Sequence, residues 1–361
     1  MKIGLIGLNQ TGKTSLFELL TGKAASNIGT CFIPDERIDF LSGLFKPKKT
    51  IYAKIEVTDV PGFSTSSGGA NSAAVRFLDD VRHCDALVHV LRAFESDSVI
   101  HDMDSIDPLR DLEAIESEML FADLEMIEKR INKINSGKKV TKEQAAELDL
   151  LKRCFSHLEN DGAIRDMELT EDEHLAVRGF SFLTEKPCIV VINLDENQWE
   201  SGSYQGKDAI IERYTGGGVP YMRYTGGGVP YIELCVAIEL EISKLSEEDK
   251  GLFIEDLGIA EPGVAKLAKA VYSIMNLISF LTYGEDEVRA WTIEKGTVAR
   301  VAAGKIHTDI QRGFIRAEVV KYNDLLELGT IIKVKEKGLF RLEGKDYIVA
   351  DGDIITFRFN V

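Results

Sequence analysis

Long apolar runs are missing from this 361-residue sequence. No stretch reaches the ~18 residues needed to span a bilayer, and no secretory leader opens the chain, so neither membrane nor secreted classes are expected. Cysteine is sparse. Cys31, Cys84, Cys154, Cys188 and Cys235 are scattered, odd in number and form no C-x-x-C pair. That argues against a disulfide framework or a cysteine metal site and fits a reducing, cytoplasmic setting. Positive charge is also in deficit. The 43 Lys and Arg against 59 Asp and Glu leave a formal net charge of −16. No bulk basic field draws the chain to nucleic acid, no direct DNA binding is expected, and any RNA contact needs a local patch or a partner. What is present is ordinary: 44% hydrophobic and 28% charged residues. That composition supports a sizeable core, and the length suggests two or three domains.

The informative stretch is MKIGLIGLNQTGKTSLFELL, residues 1–20. An apolar run, Ile3 to Ile6, leads into Gly7-Leu8-Asn9-Gln10-Thr11-Gly12-Lys13-Thr14, and an amphipathic run with Leu16, Phe17, Leu19 and Leu20 follows Ser15. The pattern G-x-x-x-x-G-K-[ST] between a strand and a helix is a phosphate-binding loop. Gly7 and Gly12 permit the tight turn that aims backbone N–H groups at phosphate oxygens, and the positive end of the new helix adds to the attraction. Lys13 is expected on the β- and γ-phosphates and the Thr14 hydroxyl on Mg²⁺.

Residues 21–30, TGKAASNIGT, read as a loop, with Thr30 the nearest candidate for a second hydroxyl on Mg²⁺; a plain turn residue fits it equally well. Ile51 to Val60 alternates as a strand and ends in Asp59-Val60-Pro61-Gly62, a D-x-x-G. Asp59 is expected to hold Mg²⁺ and the Gly62 N–H to meet the γ-phosphate. Phe63 follows, at the position where many related enzymes keep a water-orienting glutamine; an apolar ring cannot orient water. Residues 64–72, STSSGGANS, read as a switch loop. Ala86 to Leu91 reads as a buried parallel strand that contains His89, by default a core histidine.

From Pro108 to Leu158 two apolar stripes stepping by three and four, broken at Asn135-Ser136-Gly137, predict an antiparallel helical hairpin. Cys188 to Asn193 is a further buried strand ending in Asn193-Leu194-Asp195-Glu196, where guanine binders carry N-K-x-D. The longer Glu196 carboxylate misplaces the acceptors for guanine, whereas Asn193 serves either purine. A strand, Ile232 to Ala237, and a helix from Ile238 place Ala237-Ile238-Glu239 near the base. The segment Arg213 to Tyr221 recurs as Arg223 to Tyr231, a tandem copy best explained as a local duplication or a sequence error. Beyond Leu277 the alternation turns β-like, with strands at Thr292 to Ala299, Phe314 to Val319, Tyr347 to Ile348 and Ile354 to Phe359; His307-Thr308-Asp309 reads as a turn. This predicts a small separate α+β domain.

GLNQTGKTSLF, DALVHVLRAF, DLEAIESEMLFADLEMIEKR, NLDE and above all FLTYGEDEVRAWTIEKGTVARVAAGKIHTDIQRGFIRAEVVKYNDLLELG with YIVADGDIITFRFN resemble the YchF/Obg-like ATPase family of P-loop NTPases. The resemblance covers nearly the whole chain. It implies an α/β P-loop NTPase (G) domain with a mostly parallel sheet at 1–104 and 181–276. It also implies an inserted helical coiled coil at 105–180 and a C-terminal α+β, ubiquitin-like TGS domain at 277–361. The nucleotide contacts it implies are Asn9, Gln10, Thr11, Gly12, Lys13, Thr14, Ser15, Gly62, Asn193, Leu194 and Glu196. The metal ligands are Thr14, Asp59 and, less directly, Thr30; catalysis falls to Lys13, with His89 as the histidine that compensates for Phe63. Asn193 and Glu196 match the N-x-x-E that implies ATP over GTP. The family is linked to the ribosome, the large subunit being the expected partner. This sequence departs from the family in Gln10, which replaces an asparagine able to assist a monovalent cation, in a shortened stretch after Cys31, and in Ser64 to Gly69. Three functions are therefore weighed: a slow Mg²⁺-dependent ATPase gating a ribosome interaction, a GTPase, and a nucleotide-holding module that does not hydrolyse.

Overall fold

The structure is a computed structural model that describes residues 1–360 apart from 25, 64–71, 102, 104, 138–139, 216–230 and 257–260. Most of the expected switch loop and of the tandem copy therefore lies outside the described residues. The chain divides into two units, Met1–Thr30 with Glu56–Val271, and Cys31–Ile55 with Tyr272–Val361.

In chain order the elements begin with β1 (Lys2–Ile6), α1 (Lys13–Thr21), β2 (Ile28–Phe32), α2 (Glu36–Phe45), β3 (Lys49–Ile51) and β4 (Lys54–Asp59). They continue with α3 (Ser72–Arg82), β5 (Ala86–Arg92), α4 (Pro108–Asn135), α5 (Lys142–Glu159) and α6 (Glu171–Arg178). Next come β6 (Cys188–Asn193), α7 (Glu196–Ser201), α8 (Lys207–Thr215), β7 (Tyr231–Leu234), α9 (Val236–Lys244), α10 (Glu247–Asp256) and α11 (Gly263–Ile274). The first sheet has the order β2-β4-β1-β5-β6-β7. Strands β4, β1, β5, β6 and β7 run parallel, and every residue of β5 is buried, as a central strand covered on both faces requires. The order reverses at β1, so the loops after β1, β4, β5, β6 and β7 gather at one edge, where α/β sheets place ligands.

The two stripes read along α4 serve different partners. Leu112, Ile115 and Met119 pack on the sheet with Leu91, Val190, Ile6 and Leu87. Ile127 and Ile134 pack with Leu150, Leu151, Cys154 and Leu158 of α5. The hairpin begins at Pro108, with Asp107 capping it, and α5 opens on a Thr141/Gln144 capping box. The first half of α4 is thus a layer of the nucleotide unit, and only its second half pairs with α5. The joint is Asp123, which is fully buried and accepts from Leu183 N (3.0 Å), Thr184 N (2.8 Å) and Thr184 Oγ1 (2.8 Å). Burial pushes its carboxyl pKa up; the Thr184 and Leu183 bonds and the Arg82 guanidinium pull it down. Asp123→Ala leaves two buried amides without an acceptor, and a stability loss of about 3 kcal/mol is expected in urea unfolding.

The second unit contains β8 (Leu277–Thr282), β9 (Glu287–Glu294), α12 (Ala299–Ile306), α13 (Thr308–Arg312), β10 (Phe314–Lys321), α14 (Tyr322–Leu328), α15 (Ile331–Glu336), β11 (Arg341–Glu343) and β12 (Asp353–Phe359). Its sheet has the order β11-β10-β12-β8-β9-β3. Ala299, Ala302 and Ala303 of α12 pack with Phe280, Ile293, Val319, Ile355 and Phe357; the small side chains let the helix lie close to the sheet.

Several expectations are corrected. The strand read over Ile51 to Val60 is two strands in different sheets, because β3 pairs in parallel with β9 (Lys49 with Glu287, Ile51 with Arg289) while β4 pairs with β1. Alternation reports that a segment is extended, not which sheet receives it. Residues 28–30, read as loop, open β2. The strand read over Thr292 to Ala299 ends at Glu294, and Ala299 begins α12. Tyr347 and Ile348 form no strand, only a bridge from Ile348 to Val298. Ala237 lies in α9, and His307 caps α13. Residues 31–55, grouped by sequence with the nucleotide domain, fold with the C-terminal residues instead.

Candidate nucleotide site

The loop after β1 is built on two glycines with positive φ, Gly7 (150°) and Gly12 (93°). Gly12 is the N-cap of α1 and no side chain caps the helix, so amides of its first turn are left for an anion. Lys13 is buried; its Nζ donates to the carbonyls of Gly7 (3.1 Å) and Leu8 (2.5 Å) and so folds back along the loop. Thr11 is buried and donates to Leu8 O, Gln10 is exposed at φ 58°, and Ser15 is half-buried in the first turn of α1. Across the crevice, Thr14 Oγ1 donates to Asp59 Oδ2 at 2.7 Å. The two residues are 45 apart in sequence; Thr14 stands in the first turn of α1 and Asp59 ends β4. A hydroxyl and a carboxylate meeting in this way form a hard-oxygen pair that fits Mg²⁺. Gly62 lies against Asn9, whose Oδ1 is 2.2 Å from where a Cβ on Gly62 would stand.

On the base side, Asn193 ends β6 buried. Its Nδ2 donates to Thr11 O (3.0 Å) and its Oδ1 accepts from Val236 N (3.2 Å). It thus ties the phosphate loop to the start of α9. Leu194 is buried, and Glu196 is exposed as the first residue of α7. Asp195, which the sequence reading passed over, caps α7 by accepting from Gln198 N (2.9 Å) and accepts from Glu95 N (3.2 Å), holding the loops after β5 and β6 together. Glu239, expected near the base, accepts from Gly263 N at the start of α11 (2.6 Å).

Known proteins resemble the chain along its whole length. Residues 277–360 match the YchF-GTPase_C family model, described as a protein of unknown function, and residues 2–136 match one described as a 50S ribosome-binding GTPase. The chain is 38% identical over 370 residues to the "Ribosome-binding ATPase YchF" of Bacillus subtilis, covering 99% of each chain. It is 38% identical over 372 residues to the protein of the same name in Haemophilus influenzae, covering 100% of this chain and 99% of the other. The chain belongs to the YchF family. Its fold superposes on the "Schizosaccharomyces pombe YchF GTPase" with a TM-score of 0.87 at 29% identity, covering 99% of this chain and 97% of that one.

Within this YchF-family structure, two expected site residues are not brought to the Thr14–Asp59 pair. Thr30 lies in β2. Bonds from Asp59 N to Asn27 O and from Ile33 N to Ala53 O run β2 and β4 in opposite directions. Thr30 therefore stands opposite Glu56, roughly 10 Å along the strand from Asp59. His89 lies inside β5, paired with Ile6 and Val190, in keeping with its default reading as a core histidine. It is 1% exposed, and its Nε2 meets no hydrogen-bond partner among the described residues. Burial first, then Lys13 and Arg165, push its pKa down to about 3. Enclosure within β5 fits the reading of His89 as a core histidine better than the compensating role.

Phe63 is buried with its N–H on Gly7 O and its ring 5.4 Å from that of Phe77. Sequence reading also passed over His101. Its Nε2 meets Asp111 at 2.9 Å, and its Nδ1 accepts from Met103 N at 3.0 Å. Met103 packs against the cluster that holds Leu8, Val60 and Phe63. The only signal was a histidine ten residues before an aspartate just inside a helix start.

Proposed function

We propose that this chain is a slow Mg²⁺-dependent ATPase whose nucleotide state gates binding to the ribosome, working in the cytoplasm. The observation that carries the reading is the Thr14–Asp59 contact, beside a glycine loop along which the lysine is already folded. Thr14 and Asp59 would hold Mg²⁺, which when bound neutralises charge on the β- and γ-phosphate oxygens. Lys13 and the amides around Gly12 hold the phosphates and stabilise the charge that develops in transfer. Phe63 supplies no hydrogen bond to the attacking water, which is why turnover is expected to be slow. Asn193 keeps the loop in register with the base pocket. The names carried by the bacterial relatives support ATP and the ribosome.

GTP is the second reading, favoured by the name of the yeast relative. Glu196 decides between them. Side-by-side titrations are expected to show ATP bound at least ~10-fold more tightly than GTP, about 1.4 kcal/mol. Glu196→Asp is expected to move that ratio toward GTP. A native preference for GTP would reverse the assignment. Phosphate release followed over hours, with and without ribosomes, separates an ATPase from a module that only holds nucleotide; no release in either condition favours the module.

A further inference from the structure

Residues 31–55 leave the nucleotide unit at Thr30, re-enter it at Glu56, and in between are part of the fold of the C-terminal unit. The attachment is extensive. Strand β3 is the sixth strand of the C-terminal sheet, and at its start Lys48 N and Lys49 N donate to Glu285 O and Asp286 O, each at 3.1 Å. Ile38 and Leu41 of α2 are fully buried. Phe45 stacks on Tyr283 with ring centroids 4.3 Å apart, and Phe40 meets Tyr322 edge-on at 5.7 Å. The Arg37 guanidinium donates to Asp351 (2.7 Å) while holding Asp35, and Asp351 accepts from Ser279 N (2.8 Å). Most of these anchors are aromatic, buried or backbone contacts, the kinds that carry energy, rather than exposed ion pairs.

The same segment is continuous with the metal pair. Asp59 ends β4, and the exit from the second unit, Ile55 to Glu56, lies on that same six-residue strand. The entry lies on β2, which is bonded to β4 at both ends. Strand β4 therefore runs unbroken from Lys54 and Ile55 of the second unit to Asp59 of the first.

We infer that residues 31–55 form a clasp through which the occupancy of the nucleotide site is coupled to the C-terminal unit. The inference rests on the nucleotide site proposed above and adds a route for its signal. It makes the C-terminal unit, by reciprocity, a regulator of nucleotide affinity: whatever binds that unit differently in its two states shifts ATP binding by the same factor.

Hydrogen–deuterium exchange on the full chain, with and without saturating ATP and Mg²⁺, tests it. Protection of residues 7–16 reports that nucleotide has bound. Exchange at Lys48 to Ile51 and at Glu287 to Arg289 is then expected to slow about 5-fold or more. In Phe45→Ala and, separately, Asp351→Ala, the phosphate loop is expected to remain protected while the response at Glu287 to Arg289 is lost and ATP affinity shifts about 5-fold. Lys48→Ala removes only an ion pair whose side chains are 77% and 85% exposed and is expected to keep the full response. A protected phosphate loop with unchanged exchange in β3 and β9 of the unaltered chain overturns the clasp and leaves the proposed function standing. An unprotected phosphate loop overturns both.

Discussion

Lys13→Ala is expected to lower ATP turnover by about 10²–10³-fold, the loss that follows removal of one preorganised charge-stabilising donor. The loop shows why the effect should fall on function more than on folding. Lys13 Nζ donates to two backbone carbonyls of its own loop, Gly7 O and Leu8 O, and both carbonyls belong to a segment already set by its glycines. A triphosphate offers that ammonium charged oxygens in place of neutral ones, and charge-assisted bonds are roughly twice as strong. Binding therefore exchanges one set of partners for a better one, and the alanine variant loses the exchange while keeping the turn. Titration with ATP and phosphate release together check this. Unchanged affinity and unchanged release in Lys13→Ala would remove the loop from the site.

How much of this was legible in the sequence varied with the kind of signal. Gly7, Gly12, Lys13 and Thr14 were readable because each is demanded by local geometry or by phosphate chemistry within one turn of chain. Asp59 was readable through its place at the end of a strand, and the structure brings it to Thr14. The hairpin of α4 and α5 was readable because its apolar steps and the break at Asn135-Ser136-Gly137 are local signals. What could not be read is what depends on a partner. The stripe of Leu112, Ile115 and Met119 looks like a coiled-coil seam whether it faces α5 or the sheet. Ile51 looks like the start of the strand that ends at Asp59, although it belongs with Lys49 and Thr50 to β3, which pairs with β9. His89 was readable as a core histidine from its place within an apolar run, and β5 buries it; the compensating role came from the resemblance, not from the run. Thr30, by contrast, is misplaced. Gly29 and Thr30 read as loop residues, and only pairing with β4 makes them a strand.

Gly12→Ala is expected to be nearly as damaging, by a different route. Gly12 has φ +93°, and an added Cβ would stand 2.3 Å from Asn193 Nδ2. An L-residue pays about 1–2 kcal/mol for the left-handed conformation. The clash has to be relieved by moving Asn193, which severs its bonds to Thr11 O and Val236 N, each contributing about 1 kcal/mol. Together these amount to about 3–4 kcal/mol, or roughly 10²–10³ in ATP affinity if the strain is released by opening the loop. Gly22→Ala separates the two terms. Gly22 has φ +66° but an added Cβ would meet nothing within 4 Å, so only the backbone cost remains, and thermal unfolding should shift while ATP titration does not. If Gly12→Ala binds ATP as tightly as the unaltered chain, the Asn193 bridge between the phosphate loop and α9 is a packing contact, and the base side of the site has to be sought elsewhere.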